Sequence, residues 1–481
     1  MLFPTFEFFT FFTIVLILNW SLKRWPLIWR LFLLLASYYF YSIWDFRFLV
    51  ILISVSIFNF FSGNLISRNF LNAKKLTLAL VILFNLLVLG LFKYYDFFRV
   101  SAESLLERAG FIATLPFLEI ILPIGLSFYI FRVISYNIDI YSQKIPVASG
   151  ALDFFIYVSF FPQLLSGPIA RAGDFLPQLA DGGAKKIENL YENFTLIFLG
   201  LFKKLVISSY LVLNIADDVF AVPENHSSLI LLLAVFAYSL VIYFDFSGYS
   251  DMAVGFAGLM GFRSPLNFGF PYLATNIKDF WRRWHISLSF WIRDYIYIPL
   301  GGNRKGKIRK YFNIMAAMLL AGLWHGAATH FLIWGGIHGA GLAINHFFSD
   351  MKRTSISLKG KAANLDKTSG IAQNIFWWLI TFNFVSFAWI FFRAESTERA
   401  LIFIRKIFTS ENLVEPFQAY IAVFVIVGIL YFLLEKQINK GFINVQKKLP
   451  IMVWFVFIIA GMILLFKLSP DTLPPFIYFG F

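Results

Sequence analysis

Five of the six histidines in this chain, His285, His325, His330, His338 and His346, fall between positions 285 and 346, the section richest in polar residues within apolar sequence. His325 is the sharpest candidate for chemistry. It stands in Leu-Ala-Gly-Leu-Trp-His-Gly-Ala-Ala, directly after the apolar run Met315 to Leu320. An ionisable group in such a setting is costly and tends to be functional. A neutral imidazole accepts a proton near pH 7, as a general base must. The competing reading is a helix-packing histidine bonded to a backbone carbonyl. His285 closes Asp-Phe-Trp-Arg-Arg-Trp-His, where it reads equally as a site residue or as an interfacial histidine beside an aromatic belt. Arg282 and Arg283, between Trp281 and Trp284, suit either anionic lipid headgroups or the phosphates of a nucleotide-like donor.

Metal chemistry is disfavoured by spacing. His330 lies five residues after His325, about 140° round a helix, so the two cannot form a His-x-x-x-His zinc face. His338 and His346 roughly share a face, but no carboxylate accompanies them at ligand spacing. Asp245 and Asp251, in Tyr-Phe-Asp-Phe-Ser-Gly-Tyr-Ser-Asp-Met, are carboxylates inside apolar sequence. Both proton relays and structural helix pairing use such residues, and the structural reading is favoured. No phosphate loop, dinucleotide glycine motif or Gly-x-Ser-x-Gly elbow occurs.

The elements that must position these residues are transmembrane helices. The chain has 481 residues, 59% hydrophobic and only 14% charged, with 62 phenylalanines. A soluble domain is typically about a quarter charged, so too few charges remain to cover a water-facing surface. The net charge is 41 − 27 = +14. The basic residues cluster in short segments between apolar runs, so the positive-inside rule accounts for the excess without nucleic acid. The absence of cysteine excludes disulfides, thiolate metal sites and a cysteine acyl-enzyme.

Apolar segments near 6–22, 26–45, 47–66, 76–97, 117–138, 150–166, 190–213, 227–247, 311–327, 331–348, 374–393, 415–434 and 450–468 predict an all-α polytopic membrane protein. Not every segment need cross, so about eleven or twelve true spans are expected. The first run follows Glu7 rather than a basic region and shows no small-residue cleavage site, so it reads as a retained helix with its N-terminus outside. Charge places Lys23-Arg24, 68–75, Lys185-Lys186, 304–310, 352–367 and 436–448 as cytoplasmic connections. It places Asp217 to Glu224 and the region of Asp471 outside. Two stretches break the pattern: 161–171, with Pro162, Gly167 and Pro168, and the charged, aromatic 276–302. Both read as re-entrant or interfacial elements lining a central funnel.

Four stretches carry a resemblance. Tyr243 to Gly255, Asn276 to Ser289, Arg293-Asp-Tyr-Ile-Tyr-Ile-Pro-Leu-Gly-Gly-Asn303 and Leu323-Trp-His-Gly326 are similar to the membrane-bound O-acyltransferase family. The likeness is to its bacterial branch, with the alginate and peptidoglycan O-acetylation proteins and the D-alanyl transfer protein of teichoic acid modification. Pro123 to Phe128 and Gln163 to Arg171 fit the same branch, so the resemblance covers nearly the whole chain. That family carries a catalytic histidine and, some forty positions earlier, a second polar residue that is often Asn, Asp or His. Here 325 − 285 = 40, and the resemblance makes His325 the base and His285 the second residue.

The resemblance further implies a cytoplasmic acyl thioester, most simply acetyl-CoA, as donor substrate, with no bound cofactor and no metal. Trp281, Arg282, Arg283, Trp284, Asn303 and Trp324 would line the donor path or funnel. His325 would deprotonate an acceptor hydroxyl, while His285 orients it or stabilises the oxyanion. The ending Phe476-Ile-Tyr478-Phe-Gly-Phe481 is by composition an interface anchor. It also resembles the Phe-x-Tyr-x-x-Phe motif of the small partner of D-alanyl transfer, which would make Tyr478 an acyl acceptor or carrier.

The expected organisation is an acyltransferase core at 1–348, a basic linker at 349–372, C-terminal helices at 373–468 and an extracytoplasmic tail at 469–481. The expected setting is a bacterial inner membrane, in contact with its lipids, with an extracytoplasmic SGNH-type partner and a polysaccharide as final acceptor. The alternatives are a glycan or lipid transporter or flippase, and an acyltransferase acting on a lipid or protein.

Overall fold

The computed structural model describes residues 3–68, 71–111, 115–117, 120–183, 186–358, 370–409 and 419–479. Helices account for all the regular structure among them. Seven are long and apolar enough to cross a membrane: Phe46–Arg68, Ala73–Arg108, Leu190–Leu211, Ser228–Leu259, Ile371–Arg393, Ala422–Lys448 and Ile451–Leu468. The chain is an all-α, multi-pass membrane protein. The expected eleven or twelve spans would have to include shorter helices, such as Phe6–Leu22, Pro26–Ser42 and Leu126–Tyr141, of 17, 17 and 16 residues.

Three expectations about individual segments are corrected. Segment 150–166 is not one helix: it divides into Ala151–Ser159 and Phe161–Leu164, because Pro162 can only begin a helical turn. The basic stretch 436–448 is not a connection but the end of the helix Ala419–Lys448. Likewise, residues 71–75 already belong to the helix Leu71–Arg108. In both cases Lys and Arg stems tolerate a helical backbone well, so charge marks the end of the apolar section and not the end of the helix. The helix Thr329–Leu358 runs through 349–358. Residues 359–369 of the expected linker, and Lys185, lie outside the described residues.

The chain forms two compact units. One comprises Met1–Leu201, Gly248–Leu266 and Phe442–Met462; the other Phe202–Ser247, Asn267–Gly441 and Ile463–Phe481. In the first, three buried asparagines tie neighbouring helices. Asn59 donates to Asn85 Oδ1 at 3.0 Å, and Asn85 and Asn137 each donate to Asn59 Oδ1 at 2.9 Å. Such amide ties replace the hydrophobic drive that lipid removes. The broken segment is supported from within this unit. Buried Arg132 donates to the carbonyl of Gln163 at 2.5 Å and to those of Tyr157 and Val158 at 3.4 Å. Those are the backbone acceptors that a helix interruption leaves without a ladder partner.

Asp251 falls in the first unit, while the second contains the candidate histidines His285 and His325, the 281–284 and Asn303 candidates, Trp324, Asp245 and Tyr478. Its frame is the hairpin Lys307–His325 with Thr329–Leu358, whose turn places His325 at the last helical position. Glycines let the two arms approach. A side chain at Gly322 would meet the Phe331 backbone, and one at Gly339 would meet Met315 and Met318. At the open end Lys310 Nζ donates to Asp350 Oδ2 at 2.7 Å. That hydrogen bond, more than the opposing desolvation, holds the Asp350 carboxyl below its usual 3.8. An aromatic core packs behind the hairpin. Tyr272 O–H donates to Ser239 O at 2.6 Å while accepting from Trp389 Nε1 at 3.1 Å.

Candidate active site

Two short helices, Ile277–Arg283 and Ile286–Ile292, flank His285, which is 1% exposed. The first begins at Asn276, whose side chain accepts from Asp279 N at 2.9 Å, an N-cap bond. It ends at Trp284, which turns to extended geometry, φ −97° and ψ 128°, and His285 then adopts the left-handed conformation, φ 41° and ψ 55°, before the second helix begins. That turn aims the imidazole inward. Asn267 holds it there: its Oδ1 lies 3.2 Å from His285 Nδ1, 2.7 Å from Ser287 Oγ and 3.3 Å from Ser287 N. The Ser287 N–H can only donate, so the atom it meets must be the amide oxygen. His285 therefore donates from Nδ1, and its Nε2 carries the lone pair.

His325 sits at the hairpin turn, 4% exposed, where Gly326 leaves the helix in extended geometry. Its ring contacts Trp324, Phe392 and Trp334, with centroids 4.6, 4.8 and 5.0 Å away. These walls are apolar, which excludes water and strengthens any electrostatic interaction made inside them.

The third member comes from the tail. After Pro474-Pro475 the chain makes a 3₁₀ turn, Ile477–Phe479. The Tyr478 ring then lies 5.6 Å from that of His325, 6.1 Å from Trp324 and 6.4 Å from His285. Phe246 packs on both Tyr478, at 4.6 Å, and His285, at 4.7 Å. One cluster within the second unit thus holds His325, His285, Trp324 and Tyr478. Phe481, the last residue of the motif, lies outside the described residues.

The remaining candidates separate into two groups. Trp281, Arg282 and Asn303 line a groove of about 490 Å³ together with Lys278, Arg293 and His346. Arg283 instead pairs with Asp279 at 2.9 Å, and Trp284 is buried in the aromatic core between Phe268 and Trp389. His330 bonds the Phe391 carbonyl at 2.8 Å, the packing role expected of a histidine on a helix. His338 is fully buried among Phe280, Trp281 and Trp334.

Sequence reasoning missed Asn267 and Lys204. The only signal for Asn267 was a polar residue following Ser264-Pro265 in otherwise apolar surroundings. Lys204 is one of two adjacent lysines inside a run read as a span. The π-helical turn Phe202–Ser208 presents both inward: Lys203 pairs with Glu435, and Lys204 with Asp245 at 2.5 Å. Asp245 also accepts from Ile477 N at 2.8 Å, and Lys204 donates to the Pro474 carbonyl at 3.2 Å. Asp245 is thus a structural anchor of the tail, in keeping with the reading favoured for it from sequence.

An inward histidine pair, one of them held by an amide oxygen, thus stands beside a half-buried tyrosine ring. The chain belongs to the MBOAT, membrane-bound O-acyltransferase family, whose model matches residues 142–389, and it is an O-acyltransferase. Among similar proteins, the "Probable alginate O-acetylase AlgI" of Pseudomonas syringae pv. tomato is 39% identical over 76% of this chain and 67% of its own. The "Peptidoglycan O-acetyltransferase" of Helicobacter pylori is 38% identical over 78% of this chain and 73% of its own. The "Teichoic acid D-alanyltransferase" of Bacillus subtilis is 32% identical over 50% and 60%. Acyl transfer, not transport, is the class these likenesses define.

Proposed function

We propose that this protein is an O-acetyltransferase of a bacterial inner membrane. It takes acetyl from a cytoplasmic thioester, acetyl-CoA, and passes it across the membrane for O-acetylation of an extracytoplasmic polysaccharide. The observation that carries this reading is the Tyr478 ring beside those of His325 and His285, on a tail that follows a proline break. His325 accepts the phenolic proton as the Tyr478 oxygen attacks the thioester carbonyl. The C–S bond breaks, and the thiolate takes up that proton. His285, fixed by Asn267, positions the acceptor or stabilises the oxyanion of the tetrahedral intermediate. With no cysteine in the chain, the acyl group passes directly to the phenol.

The groove lined by Lys278, Arg282, Arg293 and Asn303 suits the phosphates of the donor, since guanidinium and ammonium groups both bind phosphate well. The phenyl ester so formed is activated. Phenoxide, with a conjugate-acid pKa of about 10, leaves more readily than an alkoxide. A serine of an extracytoplasmic SGNH-type partner then takes the acetyl group and delivers it to the polymer, regenerating the phenol.

The test is Tyr478→Phe, which keeps the ring and removes only the hydroxyl. Loss of polymer acetylation with normal membrane insertion supports the carrier role. Wild-type acetylation in the Tyr478→Phe strain eliminates it.

A further inference from the structure

We propose that the buried Lys204–Asp245 ion pair is a tail clamp, which positions Tyr478 beside the two histidines by gripping the backbone on either side of Phe476. The proposal rests on the carrier reading of Tyr478 for its purpose, though not for its geometry. Both partners reach the tail. Lys204 Nζ donates to Pro474 O, and Asp245 Oδ2 accepts from Ile477 N, while Asp245 Oδ1 faces the lysine. The lysine and aspartate side chains are 7% and 3% exposed.

A buried pair costs desolvation and contributes stability only when further hydrogen bonds complete it. Here the two shorter completing bonds come from the backbone of the tail, and Ser208 Oγ adds a longer one to Asp245 Oδ1 at 3.5 Å. The residue after Asp245 is Phe246, whose ring carries Tyr478 and touches His285. One turn of helix thus fixes both the backbone and the ring of the tail. Close packing does not do this alone, because a cavity of about 270 Å³ borders Lys204, Asp245 and residues 474–477. The neighbouring pair Lys203–Glu435 is built on the same π-helical turn, and Glu435 takes the Tyr243 hydroxyl as its further donor. It therefore serves as an internal comparison for loss of a buried pair.

The experiment uses the full chain with Phe476→Cys as the reporter, since Phe476 is 2% exposed and no other cysteine is present. Maleimide labelling is measured in three backgrounds. Lys204→Met/Asp245→Leu removes the clamp without leaving a lone buried charge. Lys204→Asp/Asp245→Lys keeps an ion pair but presents a carboxylate to the Pro474 carbonyl and an ammonium to the Ile477 N–H. Lys203→Met/Glu435→Leu removes the neighbouring pair.

Labelling at least tenfold faster in the first two backgrounds, and unchanged in the third, is the expected result. In the same clamp variants without the reporter, acyl loading of Tyr478, read by mass spectrometry of the C-terminal peptide, falls at least tenfold. Labelling unchanged in the charge-reversed background, or raised equally by loss of Lys203–Glu435, overturns the clamp. Should the first variant not insert, the charge-reversed one decides alone. Absence of acyl on Tyr478 in the wild-type chain refutes the carrier reading and leaves the labelling result to decide the clamp.

Discussion

Replacing Asn267 by alanine removes a single oxygen that meets three groups, the Nδ1 of His285 and the N–H and hydroxyl of Ser287. The Ser287 hydroxyl can rotate to another acceptor. The backbone N–H and the imidazole N–H cannot, and Asn267 and His285 are 2% and 1% exposed, so bulk water does not replace the lost oxygen. Each buried donor left without an acceptor costs about 1–3 kcal/mol, so the folded state should lose about 2–6 kcal/mol. The rate should fall as well, because the amide oxygen that selects the Nδ1–H tautomer and helps to orient the ring is gone. One net hydrogen bond of ~1.4 kcal/mol corresponds to about tenfold in rate, and lost orientation adds to it, giving about ten- to a hundredfold. Asn267→Asp still offers an acceptor to all three groups and should retain more activity than alanine. The assay is release of thiol from acetyl-CoA by the purified protein in nanodiscs. With no cysteine in the chain, every thiol detected comes from the donor. A folded Asn267→Ala protein that releases thiol at the wild-type rate would refute the positioning of His285 by this amide.

His325→Ala should abolish acetylation of the polymer in cells while protein level and insertion persist, and near wild-type acetylation would remove His325 from the mechanism. His285→Ala should lower thiol release by about 10²–10³, the size of a lost oxyanion or proton-transfer group, with His285→Asn retaining part of the rate. Gly322→Val should separate the hairpin arms at the Phe331 backbone and lower the thermal midpoint, with about 1–3 kcal/mol of overpacking as the expected cost. For orientation, a cysteine at Lys305 should react only from the cytoplasm and one at Asp471 only from outside. Impermeant labelling at 305 in intact cells would reverse the topology.

Much of the site was legible because its residues differ sharply from their surroundings. A histidine after an apolar run, a Trp-Arg-Arg-Trp-His sequence and a tyrosine past two prolines are each visible without coordinates. The interruption of the apolar run at Pro162 was visible for the same reason, although 150–166 still read as one apolar segment and its division into two helices was not visible. What stayed hidden acts through space or through a change of helical register. Asn267 matters only because the left-handed turn brings His285 back to it from 18 residues away. Arg132 reads as one more positive charge until the carbonyls of the broken segment are seen around it. Lys203 and Lys204 were absorbed into a span, since a 3.6-residue period cannot show where a π-helical turn rotates the following side chains. The basic stretch 436–448 failed differently: charge reports where the apolar section stops, and the helix simply continues past it.

The φ of 41° at His285 also limits the residue alphabet available there. Away from glycine, a left-handed backbone is adopted most readily by Asn, Asp and His, and it penalises β-branched or bulky residues. Those three are also the residues that the family resemblance brings to this position. A substitution path from His285 to Val, Ile or Thr would thus be closed by backbone strain before any chemistry was tested. One to Asn or Asp stays open, and along it the polar group can be exchanged while the turn survives. The conformation of a single residue thereby makes the identity of the polar group at this position variable within a short and chemically useful set.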